Sequence, residues 1–120
     1  MIVAATVAVV VMLAVILGDV GLYLRARAVA STAADAAALA AAPVTFAPFG
    51  AVGSPADEAA RFAAANGSSL VSCECAVDRT WAPRIVRVVV AAPVDLTLFG
   101  HRDVAASSRA EFRPTGLADP

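Results

Sequence analysis

A chain of 120 residues has room for one small domain at most, and a membrane segment would use about a fifth of it. Sixty per cent of the residues are hydrophobic and the mean hydropathy is +0.78, with Ala and Val far outnumbering aromatics, a balance too apolar for an ordinary soluble domain. The net charge is −1, no Lys occurs and the nine Arg are scattered, which argues against the basic stripe of a nucleic-acid-binding surface.

The apolar excess sits at the start. Residues 1–18 carry no charged side chain, and apart from Asp19 the run continues through Leu24 until Arg25 and Arg27 stop it, which is membrane-span length. Residues 2–17 include ten Val, Ile or Leu. At about −0.3 to −0.6 kcal/mol each near a helix centre, they supply about −3 to −6 kcal/mol toward insertion. Asp19 lies near the end of the stretch, where a carboxylate reaches headgroups or water and its penalty falls.

Nothing breaks the helix at that point, because residues 25–42 are nearly all strong helix formers without Gly or Pro. One helix over residues 2–42 would be about 60 Å long, twice the hydrocarbon thickness, so its second half must project. Ala33, Ala37 and Ala40 or Ala41 recur at three- and four-residue spacing and form a smooth stripe for close packing with another helix, while Asp35 lies on a different face. The plainer alternative is a stiff Ala-rich stalk.

Pro43, Pro48, Gly50 and Gly53 mark residues 43–53 as a linker. Ser54 as N-cap, Pro55 at the first helical position, Asp57 and Glu58 in the first turn and Asn66-Gly67 at the end predict a short helix over 55–66, with Phe62 as its one large anchor. Strand-like runs follow at 70–77, 85–94 and 104–112, expected to form an antiparallel meander. In the middle run both faces are apolar, which predicts a central strand covered on both sides. The last alternates, with Val104, Ala106, Ala110 and Phe112 on one face and Ala105, Arg109 and Glu111 on the other. The fold class is α+β: a long N-terminal transmembrane helix, then a short helix on a three-stranded antiparallel sheet. Its parts are residues 1–42 (spanning and projecting helix), 43–53 (linker), 54–113 (small extracytoplasmic domain) and 114–120 (disordered tail).

The chemistry-bearing residues are few. His101, the only histidine, sits in a polar Gly-His-Arg-Asp stretch that reads as an exposed turn. Cys73 and Cys75 share a strand face and read as buried or partly buried thiols, with an intermolecular disulfide outside the cytoplasm as the open alternative; one His and two Cys fall short of a zinc site within one chain. Trp81, between the first two strands, either marks a contact surface or folds back over the sheet edge. No catalytic residue, cofactor, metal or small-molecule substrate is expected.

The stretch Gly18-Asp19-Val20-Gly21-Leu22-Tyr23-Leu24-Arg25-Ala26-Arg27, followed by Ala33-Ala34-Asp35-Ala36-Ala37-Ala38-Leu39-Ala40-Ala41, resembles the TadE/TadG-like proteins of tight-adherence (Flp) pilus systems, over about residues 3–42. The order Ala65-Asn66-Gly67, Leu70-Val71-Ser72-Cys73 and a Val-rich strand is similar to the short actinobacterial TadE-like proteins encoded near secretion genes. The resemblance implies a minor pilin, or pseudopilin, that is no enzyme, is held in the cell membrane by a single pass with its small domain outside, and has other Tad pilus or secretion subunits as partners. Type IV-like prepilin processing is expected to need a Gly just before the apolar run and a Glu at its fifth position, whereas this chain opens directly on the run and has Ala5 there, so cleavage at such a site is unsupported. Arg25 and Arg27 follow the span and nothing basic precedes it, which sets two options against each other: a start further upstream with basic residues, or an inverted orientation. The rival from another class is a secreted protein whose signal peptide is cleaved at Ala28-Val29-Ala30.

Overall fold

The computed structural model of the chain describes residues 1–46 and 53–117. Helix α1 (Ile2–Val44) runs unbroken for 43 residues. At 1.5 Å per residue it measures about 65 Å. It thus supplies most of the molecule's 75 Å long axis. Its character changes halfway. The branched apolar residues before Gly18, half-buried Val15 apart, remain exposed, whereas Ala26, Ala30, Ala33, Ala34, Ala37, Ala38, Ala41 and Ala42 are buried. The helix outlasts its expected end by two residues. Pro43 is tolerated in the last turn, since a proline there costs little helix beyond it. Thr45 then caps the end, its hydroxyl donating to the Ala42 carbonyl at 2.7 Å. Of the expected linker, residues 47–52, with Pro48 and Gly50, lie outside the described residues.

Helix α2 (Pro55–Ala65) starts where its signals predict, the Ser54 hydroxyl accepting the Asp57 N–H at 3.1 Å, and it ends on Asn66. It buries Pro55, Ala59 and Ala63 and packs on α1. Phe62, expected to be the anchor, instead lies outside under the Arg61 guanidinium, 5.0 Å from its ring centre. Alanines on the contact face let the two helix backbones close up, where a phenyl ring would hold them apart. Gly67 follows at φ +79°, and a Cβ there would lie 3.3 Å from the Val29 side chain; both backbone and close approach call for glycine.

Three strands, β1 (Ser69–Glu74), β2 (Arg84–Leu96) and β3 (Gly100–Phe112), form the expected antiparallel meander in the order β1-β2-β3. β2 and β3 pair over their full length, from Arg84 opposite Phe112 to Leu96 opposite Gly100. Val86, Val88, Val90, Ala92 and Val94 of β2, with Val104 and Ala110 of β3, press against the alanine face of α1. Burying one valine is worth about 1.5 to 3 kcal/mol, so this layer is the main store of stability in a small head. β2 is central, as expected, but only one of its faces is covered. Both helices join the core on the same side, leaving Ile85 64% exposed on the other. The alternation along β3 is as expected, with Val104 and Ala110 in and Arg109 and Glu111 out. The tail differs too: Pro114 is fully buried at the head of a short 3₁₀ turn (Pro114–Leu117), and residues 118–120 lie outside the described residues.

Candidate membrane anchor

The first half of α1 is long and apolar enough to cross a membrane: its best 18-residue window has a mean hydropathy of 2.6 and only 6% of it is buried within the molecule. A core helix of a soluble protein would hide these side chains. Here Val7, Val10, Met12, Leu13 and Leu17 all stand exposed.

The exposed half joins the head at Asp19, which is only 4% exposed. Its two carboxylate oxygens accept the backbone N–H groups of Thr97 and Leu98, at 2.8 and 2.9 Å. Those amides belong to the three-residue turn between β2 and β3, closed by Gly100 at φ +68°. Asp19 therefore does not reach out to headgroups or water as its position suggested; it clamps a turn 78 residues away to the helix. A lone acid inside an apolar run is itself a signal that a partner exists, but nothing local names the partner. Ile16, Val20, Tyr23, Leu96 and Phe99 surround it and form a small apolar notch.

Polar chemistry begins just beyond. His101 is not in the turn but is the second residue of β3, with Nδ1 2.8 Å from the Asp95 carboxylate and Nε2 3.6 Å from that of Asp103. The hydrogen bond to Asp95, then the charges of Asp95 and Asp103, raise its pKa above the ordinary value. This trio lies exposed on the hairpin, its members paired with one another rather than turned toward a cleft.

The small-residue stripe has a different occupant from the one expected. Ala33, Ala37 and Ala41 are fully buried within the chain's own helix-and-sheet core, and Ala40 is half-buried. A second subunit's helix cannot use that stripe while β2 and β3 cover it. Asp35, beside it, accepts a hydrogen bond from the Ser108 hydroxyl.

Cys73 and Cys75 are joined to each other, so they are neither thiols nor an intermolecular link. Two residues apart on an extended strand, their Cα atoms would be about 6.8 Å from each other. They are 5.4 Å apart because β1 ends at Glu74 and the chain shortens there. Trp81 lies in the connection between β1 and β2. Its ring meets Phe46 edge-on, 5.0 Å between centroids, while it remains 56% exposed. The adjoining connection is knitted by Arg84, whose guanidinium donates to the carbonyls of Thr45, Asp78, Thr80 and Ala82 and lies 5.7 Å from the centre of the Phe46 ring.

Such an arrangement holds the β2–β3 turn against the helix and positions the head on it. Residues 1–43, α1 but for its last residue, match the family model described as putative Flp pilus-assembly TadE/G-like. No curated protein and no solved structure matches the chain.

Proposed function

With a TadE/G-like Flp pilus-assembly segment over residues 1–43 as the premise, we propose that the chain is a minor pilin, or pseudopilin: a membrane-anchored structural component of a Flp/Tad-type secretion and adhesion system. Its span sits among other Tad subunits, and its head stands on the extracytoplasmic side. The observation that carries this reading is the single helix α1, bare and apolar for its first half and the core of the head for its second. A surface of that size and character needs a lipid or protein cover. Because the alanine stripe is used up inside the head, subunit contacts in this reading fall on the bare half. The Cys73–Cys75 disulfide supports the extracytoplasmic side, since such bonds persist in oxidising compartments and are rare in the cytosol.

Carbonate extraction combined with crosslinking tests it. A single cysteine placed in the span, as in Val7→Cys or Leu13→Cys, should crosslink to co-expressed Tad assembly proteins in a membrane-retained chain. Release into the soluble fraction with an N-terminus near Ser31 would replace the anchor by a cleaved signal peptide. Retention without any crosslink would remove the assembly role.

A further inference from the structure

The turn between β2 and β3 ends in two large apolar side chains, Leu98 at 50% and Phe99 at 63% exposure. A hairpin tip facing water normally carries polar or glycine-rich residues. The tip lies beside α1 at the level of Ile16 to Tyr23, since Phe99 and Leu96 share a notch with Ile16, Val20 and Tyr23.

On the helix, the exposed apolar surface does not stop at Asp19. Val20, Leu22, Tyr23 and Leu24 carry it on to Arg25, the first exposed charged residue. The polar boundary therefore falls near Arg25, above the hairpin tip. Asp95, His101 and Asp103 keep the same order on the hairpin, lying on the two strands just past the turn. Tip and helix thus change from apolar to charged together.

Entry of a turn into lipid is normally barred by its unpaired backbone amides. Here the Thr97 and Leu98 N–H groups are already taken by Asp19, and the carboxylate is in turn covered by the turn it holds. Those two amides and the carboxylate thus satisfy one another, which lowers the cost of taking each out of water.

We propose that Leu98 and Phe99 insert into the lipid beside α1, making the β2–β3 hairpin tip a second, shallow membrane contact. The occupant is the acyl-chain region of the bilayer. This rests on the membrane-anchored reading above, and the experiment separates the two.

Three single-tryptophan variants of the full chain, each in a Trp81→Phe background, are reconstituted into vesicles of phosphatidylcholine brominated on the acyl chains: Leu13→Trp, Phe99→Trp and Ile85→Trp. The Leu13→Trp variant reports the span, Phe99→Trp the tip and Ile85→Trp the open sheet face. The expected result is strong loss of emission for Leu13→Trp and Phe99→Trp, with a blue shift, and none for Ile85→Trp. Leu98→Trp, as a second tip variant, should behave as Phe99→Trp does, which guards against a local misfit of either ring. Quenching of Leu13→Trp alone overturns the hairpin contact and leaves the anchor standing. A blue-shifted but unquenched tip means a protein partner covers it and likewise overturns the proposal. Absence of quenching in all variants overturns the anchor and the proposal together.

Discussion

Asp35 of α1 and Ser108 of β3 meet side chain to side chain, the hydroxyl donating to the carboxylate across a distance of 73 residues in sequence. Beside this hydrogen bond lies a layer of alanine on valine. Helix and sheet are therefore spaced by methyl groups, and a larger side chain has nowhere to go.

Ala33→Leu or Ala37→Leu should each destabilise the head by about 1 to 3 kcal/mol through overpacking, while membrane retention stays unchanged. Denaturant titration in micelles, followed by amide exchange at Val86, Val88 and Val90, measures this. Unchanged stability would mean that the stripe is not packed against the sheet.

Replacing Asp19 by Ala removes the acceptor for two turn amides. Exchange at Thr97 and Leu98 should accelerate strongly while Val88 stays protected, with Asp19→Asn intermediate because its one carbonyl oxygen can still accept. Equal acceleration throughout β2 and β3 would show a general loosening and refute a local clamp.

The single histidine offers a pH probe. Its hydrogen bond to Asp95, and then the nearby negative charges, raise its folded-state pKa above 6.5. The protonated ring therefore stabilises the hairpin fully below about pH 6.5, and this contribution is lost as pH rises through the folded-state pKa. An NMR titration should place His101 above its ordinary value, and Asp95→Asn should bring it down. A midpoint unmoved by that substitution would dismiss the pair.

Intact protein should show no alkylatable thiol before reduction and two afterwards. The bridge closes a very short loop, so in the chain-entropy account the Cys73→Ser/Cys75→Ser variant should lose no more than about 2 kcal/mol. Complete unfolding of that variant in a thermal melt would contradict it.

Much of the fold is legible in the residues. Ser54-Pro55 and Asn66-Gly67 bracket α2 because caps act locally, and the in-out alternation of β3 states which side is wet. The middle strand misleads for a physical reason: valines at 86, 88 and 90 and at 85's side of the sheet read alike, since β-branched residues favour strands whether or not a layer covers them. Alanine spacing on α1 tells how closely something approaches, but not whether that something belongs to the same chain. For Asp19 the clue is present and the partner is not, because Thr97 and Leu98 contribute only backbone amides, which any sequence would supply. The junction could be suspected from residues 18–24 and located only in three dimensions.

The clamp between Asp19 and the distant turn also sets an order of events at birth. The ribosome delivers α1 first, so the helix can enter the bilayer long before its sheet has been made. Until β3 emerges, the alanine face has no lid and the carboxylate no ligand. Contacts this far apart in sequence close slowly, so on the membrane-anchored reading proposed above the nascent head passes through a stage in which it is already tethered but still unfolded. On the same reading, a ribosome stalled before Gly100 would leave an inserted chain with no completed head, its alanine face still bare.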